Sequence, residues 1–127
     1  MTKTMKQLVE DARSRVEAIS PVDAAEAAAI GNLILDVREP AELEQNGRLA
    51  DALHVPRGVL ESRADLSTET TMTPLTAMRD GGRVLVLCAS GGRAALAADT
   101  LRVMGYEALV IEGGMTDWKA NGLPVED

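Results

Sequence analysis

The sequence predicts a single α/β domain with a mostly parallel central sheet and helices on both faces of that sheet. The chain has 127 residues, 46% hydrophobic and 26% charged, which is the size and composition of one globular domain. Short apolar runs typical of buried strands alternate along it with helical segments, as in βαβ units. Because both faces of a parallel sheet need cover, we expect three layers.

The first eighteen residues are predicted to form an amphipathic helix that precedes the main domain, residues 19–127. Apolar side chains recur there at helical spacings, at Met5, Leu8, Val9, Ala12, Val16 and Ile19. This apolar stripe has to cover either its own domain or a second copy of the chain. We expect a homodimer contact through this helix.

A second helix is predicted directly after the first. Ser20 is a suitable N-cap, Pro21 suits the first helical position, and Asp23 suits the first turn. The helix then continues from Ala24 to Ile30 and ends at Gly31.

The remaining elements alternate between strands and helices. Continuous apolar runs predict strands at 33–37, 83–87 and 108–111, with a further short strand at 53–55. Helices are predicted over 41–46, 74–78, 93–104 and 115–120. The polar segment 62–73 is predicted to be a surface loop.

Charge and composition exclude several classes of function. The formal net charge of −7 argues against nucleic acid or an anionic membrane as the main partner. The chain has no apolar run long enough to span a membrane, and its first residues are charged, so we expect a cytoplasmic protein without a signal peptide. With Cys88 as the only cysteine and His54 as the only histidine, a disulfide or metal site is not expected.

Cys88 lies where a reactive group is expected. It follows the predicted strand 83–87 and precedes a glycine-rich turn into a helix, and parallel sheets bind ligands at that edge. Gly91 and Gly92 let main-chain N–H groups converge on the sulfur, and Arg93 adds a positive charge. These groups favour the thiolate, so we interpret Cys88 as a nucleophile. The competing interpretation is a small buried apolar residue.

Several ordered motifs resemble the rhodanese family of sulfurtransferases in its single-domain form. The matching segments are 36–42 (DVREPAE), 53–56 (LHVP), 88–93 (CASGGR), 105–106 (GY), 113–114 (GG), Trp118 and 122–124 (GLP). The resemblance covers most of the chain, from about Ile19 to Val125. It implies a rhodanese-like fold with about five strands in the central sheet.

The resemblance also implies a reaction that needs no metal or organic cofactor. Cys88 would take a sulfane sulfur from a small anionic donor such as thiosulfate, or from a persulfide, and pass it to cyanide or a thiol. The substrate would be bound by the loop residues that follow the cysteine, Ala89, Ser90, Gly91, Gly92 and Arg93. Two alternatives remain open: a sulfur-relay or binding module that accepts persulfide from a protein partner, and a redox sensor, for which the chain has no resolving cysteine.

The length and charge of the loop separate this chain from related proteins. Phosphatases and arsenate reductases of related fold carry C-x5-R, whereas Cys88 and Arg93 form C-x4-R, a smaller cradle that suits sulfur better than a tetrahedral oxyanion. Many thiosulfate-preferring members have a basic residue after the cysteine, but Ala89 and Ser90 are neutral here. We therefore expect weak thiosulfate affinity, with Arg57 as a candidate for anion recruitment.

The other polar residues are assigned supporting roles. Asp36 and Arg38 are predicted to support the loop, with loop N–H groups or Arg93 as candidate partners for a buried Asp36 carboxylate. His54 is expected to be a hydrogen-bonded structural residue, and Trp118 a packing residue. The carboxylates of Glu39, Glu42 and Glu44 are expected mostly to solvate a helix face.

Overall fold

The computed structural model describes residues 2–127, and within them five parallel strands form one sheet. In chain order the strands are β1 (Glu17–Ile19), β2 (Leu33–Asp36), β3 (Leu53–His54), β4 (Arg83–Leu87) and β5 (Glu107–Ile111). Their order across the sheet is β1-β5-β4-β2-β3, and every pairing is parallel. The predicted sheet is thereby confirmed, with β4 at its centre.

Seven α-helices connect and flank these strands in the described part of the chain. They are α1 (Met5–Arg13), α2 (Pro21–Ala29), α3 (Pro40–Asn46), α4 (Leu60–Ala64), α5 (Thr73–Thr76), α6 (Gly92–Val103) and α7 (Gly114–Ala120). Short 3-10 helices occur at Arg57–Val59 and Ala77–Arg79. No helix between residues 2 and 127 combines the length and the hydropathy that crossing a bilayer would need.

The core is divided by the sheet into two apolar clusters. Because successive side chains of a strand point to opposite faces, Val84 and Val86 of β4 belong to one cluster, and Leu85 and Leu87 belong to the other. The first cluster also contains buried residues of α1, α4, α5 and α6, and the second contains residues of α2 and α7. The three-layer prediction is therefore correct.

The N-terminal segment differs from the prediction. Its helix begins at Met5, after the N-cap Thr4, which forms a capping box with Gln7, and the helix ends at Arg13. The segment Glu17–Ile19 forms β1, which pairs with β5 at the edge of the sheet. Since apolar residues three apart at Val16 and Ile19 fit the last turn of a helix, the sequence pattern extended the helix too far.

Helix α1 packs on its own domain. Ala12 is fully buried in the first cluster, and Val9 packs against that cluster, on the side where α6 lies. Met5 and Leu8, in contrast, are exposed. The part of the apolar stripe nearest to α6 is therefore covered within the chain, whereas its outer part faces solvent.

The segment 62–73, predicted to be a loop, begins as a helix. Its first three residues complete α4, and the turns that follow are held by the Thr68 hydroxyl, which donates to the Ser62 carbonyl over 2.6 Å. The Tyr106 hydroxyl donates to the carbonyl of Ala64 over 2.6 Å, which anchors the end of α4 to the sheet. The Ser/Thr cluster after α4 is polar and irregular, as expected.

Candidate active site

Cys88 directly follows β4, the central strand, and faces the start of α6. Residues 88–91 form the turn between the two elements. Gly91 is the N-cap of α6 and has φ 111°, a left-handed conformation that a residue with a side chain adopts only with strain. This conformation turns the Gly91 N–H back toward the cysteine.

Two main-chain N–H groups donate hydrogen bonds to the Cys88 sulfur. The Gly91 N–H lies 2.9 Å from Sγ, and the Ala94 N–H lies 3.3 Å from it. Both are donors that the first turn of a helix leaves without a main-chain acceptor, and both stabilise a negative charge on sulfur. The predicted convergence of amides on Cys88 therefore occurs, although within residues 2–127 only these two amides of the loop and helix donate to Sγ.

Cys88 is almost fully enclosed. Only 1% of its surface is exposed, and its side chain belongs to the first apolar cluster. An enclosed thiol without polar partners would fit the interpretation of Cys88 as an apolar filler, but the two N–H donors do not. The sulfur of Cys88 therefore combines nearly complete burial with two main-chain hydrogen-bond donors.

The first turn of α7 fixes the other side of the loop. The Met115 N–H donates to the Cys88 carbonyl over 2.8 Å, and the Thr116 N–H donates to the Ala89 carbonyl over 3.1 Å. Gly114, at φ 54°, lies so close that a Cβ there would collide with the Cys88 and Ala89 main chain. These contacts were not predicted from the sequence, although two successive glycines at Gly113 and Gly114 are a signal for a close approach of main chains.

Arg93 is bound by Glu42 of α3. Its Nη1 and Nη2 donate to the two carboxylate oxygens over 2.6 and 2.8 Å. The Arg93 guanidinium lowers the pKa of Glu42 from its usual 4.5 to about 2, and the same contact raises the pKa of Arg93. Glu42 was expected to solvate a helix face, and this expectation is wrong because its carboxylate compensates the loop arginine.

Asp36 and Arg38 form a sealed ion pair. Both side chains are 1% exposed, and Arg38 Nη2 lies 2.7 Å from Asp36 Oδ2. The same Nη2 donates to the Gly47 carbonyl after α3 over 3.0 Å. Asp36 is thus paired with its near neighbour, and the expected partners, Arg93 and the loop amides, are not its partners.

His54 and Trp118 have the structural contacts expected of them. The His54 Nε2–H donates to the Arg38 carbonyl over 2.7 Å, since a carbonyl can only accept. The Trp118 indole packs in the second cluster and donates to the Pro124 carbonyl over 3.0 Å.

Arg57 lies away from the loop. Its guanidinium donates to Glu61 over 2.9 Å and to the Thr100 hydroxyl over 3.2 Å. Thr100 is eight residues past Gly92 on α6, about 12 Å along the helix. The structure therefore does not bring Arg57 together with Cys88, and the expected role in anion recruitment at the loop has no support in this placement.

Helix α1 forms the outer wall of the loop. A Cβ added to Gly91 would lie 3.1 Å from Nη2 of Arg13, and one added to Gly92 would lie 3.8 Å from Val9 and 3.9 Å from Met5. The sequence offered no direct signal for these contacts, because they depend on how α1 packs against α6. The loop is therefore enclosed between α7 on one side and α1 on the other.

Comparison with known proteins agrees with this architecture. The family model for the Rhodanese-like domain matches residues 11–121. A search of curated proteins found no significant match. Among solved structures, a polysulfide-sulfur transferase homodimer from Wolinella succinogenes is 34% identical, with a TM-score of 0.70, and the match covers 94% of this chain and 84% of that chain.

Two further solved structures are similar. A protein of unknown function from Rhodopseudomonas palustris, described as a possible tyrosine phosphatase, is 30% identical with a TM-score of 0.90, covering 99% of this chain and 96% of that chain. A rhodanese-related protein from Thermoplasma volcanium is 28% identical with a TM-score of 0.69, covering 86% and 96%. The first of these matches extends over nearly the whole chain, so it includes α1.

Proposed function

Because the chain belongs to the rhodanese-like domain family, we propose that it is a sulfurtransferase that carries a sulfane sulfur on Cys88. The observation that carries this proposal is the pair of hydrogen bonds from Gly91 and Ala94 to Sγ. Preorganised N–H donors stabilise negative charge in a water-poor site, and they serve thiolate and persulfide alike. The similarity to a polysulfide-sulfur transferase supports the same class of reaction.

The first half-reaction loads the cysteine. The Cys88 thiolate attacks the outer sulfur of thiosulfate, forming an Sγ–S bond while the S–S bond of thiosulfate breaks. The bonding electron pair leaves with sulfite, and the enzyme carries a persulfide with one negative charge. With an inorganic polysulfide as donor, the same attack releases a polysulfide shorter by one sulfur.

The second half-reaction removes the terminal sulfur from Cys88. Cyanide attacks the terminal sulfur, the Sγ–S bond breaks, and its electron pair returns to Sγ as thiolate while thiocyanate leaves. With a thiol acceptor, the thiolate takes the terminal sulfur in the same way and leaves as a persulfide. Charge and atoms balance in both steps without an oxidant or a cofactor.

The surrounding residues bind and orient rather than react. We assign substrate contact to the loop residues Ala89, Ser90, Gly91, Gly92 and Arg93. Asp36 and Arg38 hold the end of β2 against the end of α3, and so place Glu42, which positions Arg93. We therefore propose that Asp36 and Arg38 support the loop through α3.

A sulfur-relay module is the second candidate. Its support is the enclosure of Cys88 together with the neutral residues Ala89 and Ser90 in the loop, since both reduce access of free thiosulfate. Such a module would accept sulfur from a protein persulfide and turn over slowly alone.

The homodimer contact through α1 is also kept as a proposal, supported by the exposed Met5 and Leu8. The cytoplasmic location stays a prediction.

Thiocyanate formation tests the proposed function. We expect turnover of thiosulfate and cyanide by the full chain and none above background by Cys88→Ala, because the nucleophile is removed. Mass spectrometry of the chain after incubation with donor alone should show an added sulfur, about 32 Da, that Cys88→Ala lacks.

Three outcomes separate the candidates. Cys88-dependent turnover supports the sulfurtransferase. A stable sulfur adduct without turnover supports the relay. Hydrolysis of p-nitrophenyl phosphate above that of Cys88→Ser, without any sulfur adduct, would contradict both and favour a phosphatase, despite the short C-x4-R loop.

A further inference from the structure

We propose that Arg13, on the N-terminal helix α1, binds the anionic end of the sulfur donor at the Cys88 loop. This rests on the sulfurtransferase function proposed above and deepens it, because it assigns a residue outside the loop to donor recognition. The substrate class is a small inorganic sulfane-sulfur anion, such as thiosulfate or an inorganic polysulfide.

The loop itself offers little uncompensated positive charge. Ala89 and Ser90 are neutral, and Arg93 is held by both oxygens of Glu42. Arg38 is sealed against Asp36. A doubly charged donor therefore meets, from these residues, two main-chain N–H groups and an arginine whose charge is already balanced.

Arg13 is placed to supply the missing charge. Its Nη2 is 3.1 Å from the position of a Cβ on Gly91, the residue whose N–H is 2.9 Å from Sγ. Joined through standard bond lengths, these contacts place Nη2 within about 9 Å of the sulfur. Arg13 is exposed, so an anion in solution can contact its guanidinium.

The Arg13 guanidinium makes no ion pair with an acidic side chain of residues 2–127. Among the ion pairs between described residues, the nearby Asp11 binds Lys3, and Arg15, two residues on, binds Asp99. Glu10, one turn before Arg13, makes no ion pair with it in residues 2–127. No side-chain hydrogen bond of Arg13 occurs in that range either, which leaves its planar fork free to bind an oxyanion.

The spacing suits a donor that bridges Arg13 and Cys88. In the reactive pose the outer sulfur of thiosulfate lies about 3 to 3.5 Å from Sγ. Its sulfonate oxygens lie beyond that sulfur, and a guanidinium contact adds about 2.9 Å. A thiosulfate ion in this pose can therefore contact both Cys88 Sγ and Arg13 Nη2, which lie within about 9 Å of each other. An inorganic polysulfide is long enough to do the same.

A purely structural role for Arg13 predicts different results. Arg13 lies in the last turn of α1, where a cation is stabilised by the carbonyl ends of the helix. Loss of that contact lowers stability slightly but leaves donor affinity unchanged. The test must therefore separate donor affinity from stability.

Kinetics of the full chain provide the first measurement. We expect Arg13→Gln to raise the KM for thiosulfate about tenfold or more with kcat changed less than about twofold, because a charge-assisted contact to the donor is lost. Arg13→Lys should recover part of the loss. Arg15→Gln removes the same charge two residues away, and its KM should stay within about twofold of the parent.

Alkylation of Cys88 provides a measurement that does not need turnover. Iodoacetate is an anion and iodoacetamide is neutral. The rate of alkylation by iodoacetate divided by the rate with iodoacetamide therefore reports the charge near Cys88. We expect this ratio to fall about threefold or more in Arg13→Gln and to stay constant in Arg15→Gln at low ionic strength. Added salt should reduce the ratio for the parent chain and change it less for Arg13→Gln.

The two measurements separate the two proposals. If the ratio falls but no chain forms thiocyanate or a sulfur adduct, Arg13 is an anion-binding residue and the proposed function is wrong. If turnover occurs but neither the ratio nor the KM responds to Arg13→Gln, the function stands and the Arg13 proposal is wrong. A thiol that neither reagent alkylates, in a chain that forms neither thiocyanate nor a sulfur adduct, would overturn both.

Discussion

Three arginine–carboxylate pairs around α3 and α6 have the same chemistry and different surroundings. Asp36–Arg38 is sealed, with both side chains 1% exposed. Glu42–Arg93 is 26% and 31% exposed and adjoins the Cys88 loop, and Glu61–Arg57 is 56% and 28% exposed. The comparison teaches that burial, more than contact distance, decides whether such a pair supports the fold, positions the site, or does little of either.

The sealed pair should show the largest effect. We expect Asp36→Asn to lower the free energy of unfolding by about 3 to 5 kcal/mol, because it leaves the Arg38 charge buried without a counter-ion. Urea unfolding at neutral pH measures this. Asp51→Asn is the matched control, because Asp51 is exposed in the turn between α3 and β3. It should change the free energy of unfolding by less than about 0.5 kcal/mol. Equal effects of the two substitutions would contradict the comparison.

The partly buried pair, Glu42–Arg93, should show a smaller effect that depends on pH. Glu42 has a pKa of about 2 in the folded chain instead of 4.5, so its stabilising contribution is complete above pH 4.5 and disappears as the pH falls toward 2. After allowance for solvent screening, we expect Glu42→Gln to cost about 1 to 2 kcal/mol at neutral pH. The difference between parent and variant should shrink below pH 4.5.

The measurement for this pair is urea unfolding from pH 7 down to the lowest pH at which the chain is folded. Glu44→Gln is the matched control, since Glu44 is exposed on the same helix and makes no ion pair within residues 2–127. A difference between parent and Glu42→Gln that grows on acidification would show that Arg93 does not stabilise the Glu42 carboxylate.

The outer pair should show the smallest effect. Glu61 and Arg57 are four residues apart and the Glu61 carboxylate is 56% exposed, so we expect Glu61→Gln to change the free energy of unfolding by less than about 0.5 kcal/mol. Thiocyanate formation should also stay within about twofold of the parent, because Arg57 binds Glu61 and Thr100 and makes no hydrogen bond to the Cys88 loop within residues 2–127. A clear loss of turnover would mean that the Arg57 side chain contributes to donor binding after all.

Much of the fold could be predicted from sequence because its signals are local. Each buried strand is a continuous apolar run, and the cysteine loop is marked by Gly91 and Gly92 at the strand end. The edge strand Glu17–Ile19 was missed because three residues carry too little pattern to distinguish a strand from the last turn of a helix. Its pairing with β5 is what decides its conformation.

The site was predicted where its residues are adjacent in sequence and missed where they are distant. Cys88 and its amide donors lie within six residues. Glu42 reaches Arg93 across 51 positions, and Arg13 reaches Gly91 only because α1 packs on α6. Periodicity indicates which face of a helix is buried, but it does not indicate which charged side chain at the margin of that face meets the loop.

The hydrogen bonds between α7 and the loop fix the orientation of the main-chain dipoles around Cys88. Met115 and Thr116 hold the Cys88 and Ala89 carbonyl oxygens on the α7 side, while the Gly91 and Ala94 N–H groups face the sulfur. The negative ends of these peptide dipoles are thereby kept away from the place where a second sulfur would sit. If Cys88 carries sulfur as proposed, the persulfide would form without rotation of these peptide planes, and the protein would need little reorganisation between its free and sulfur-loaded states.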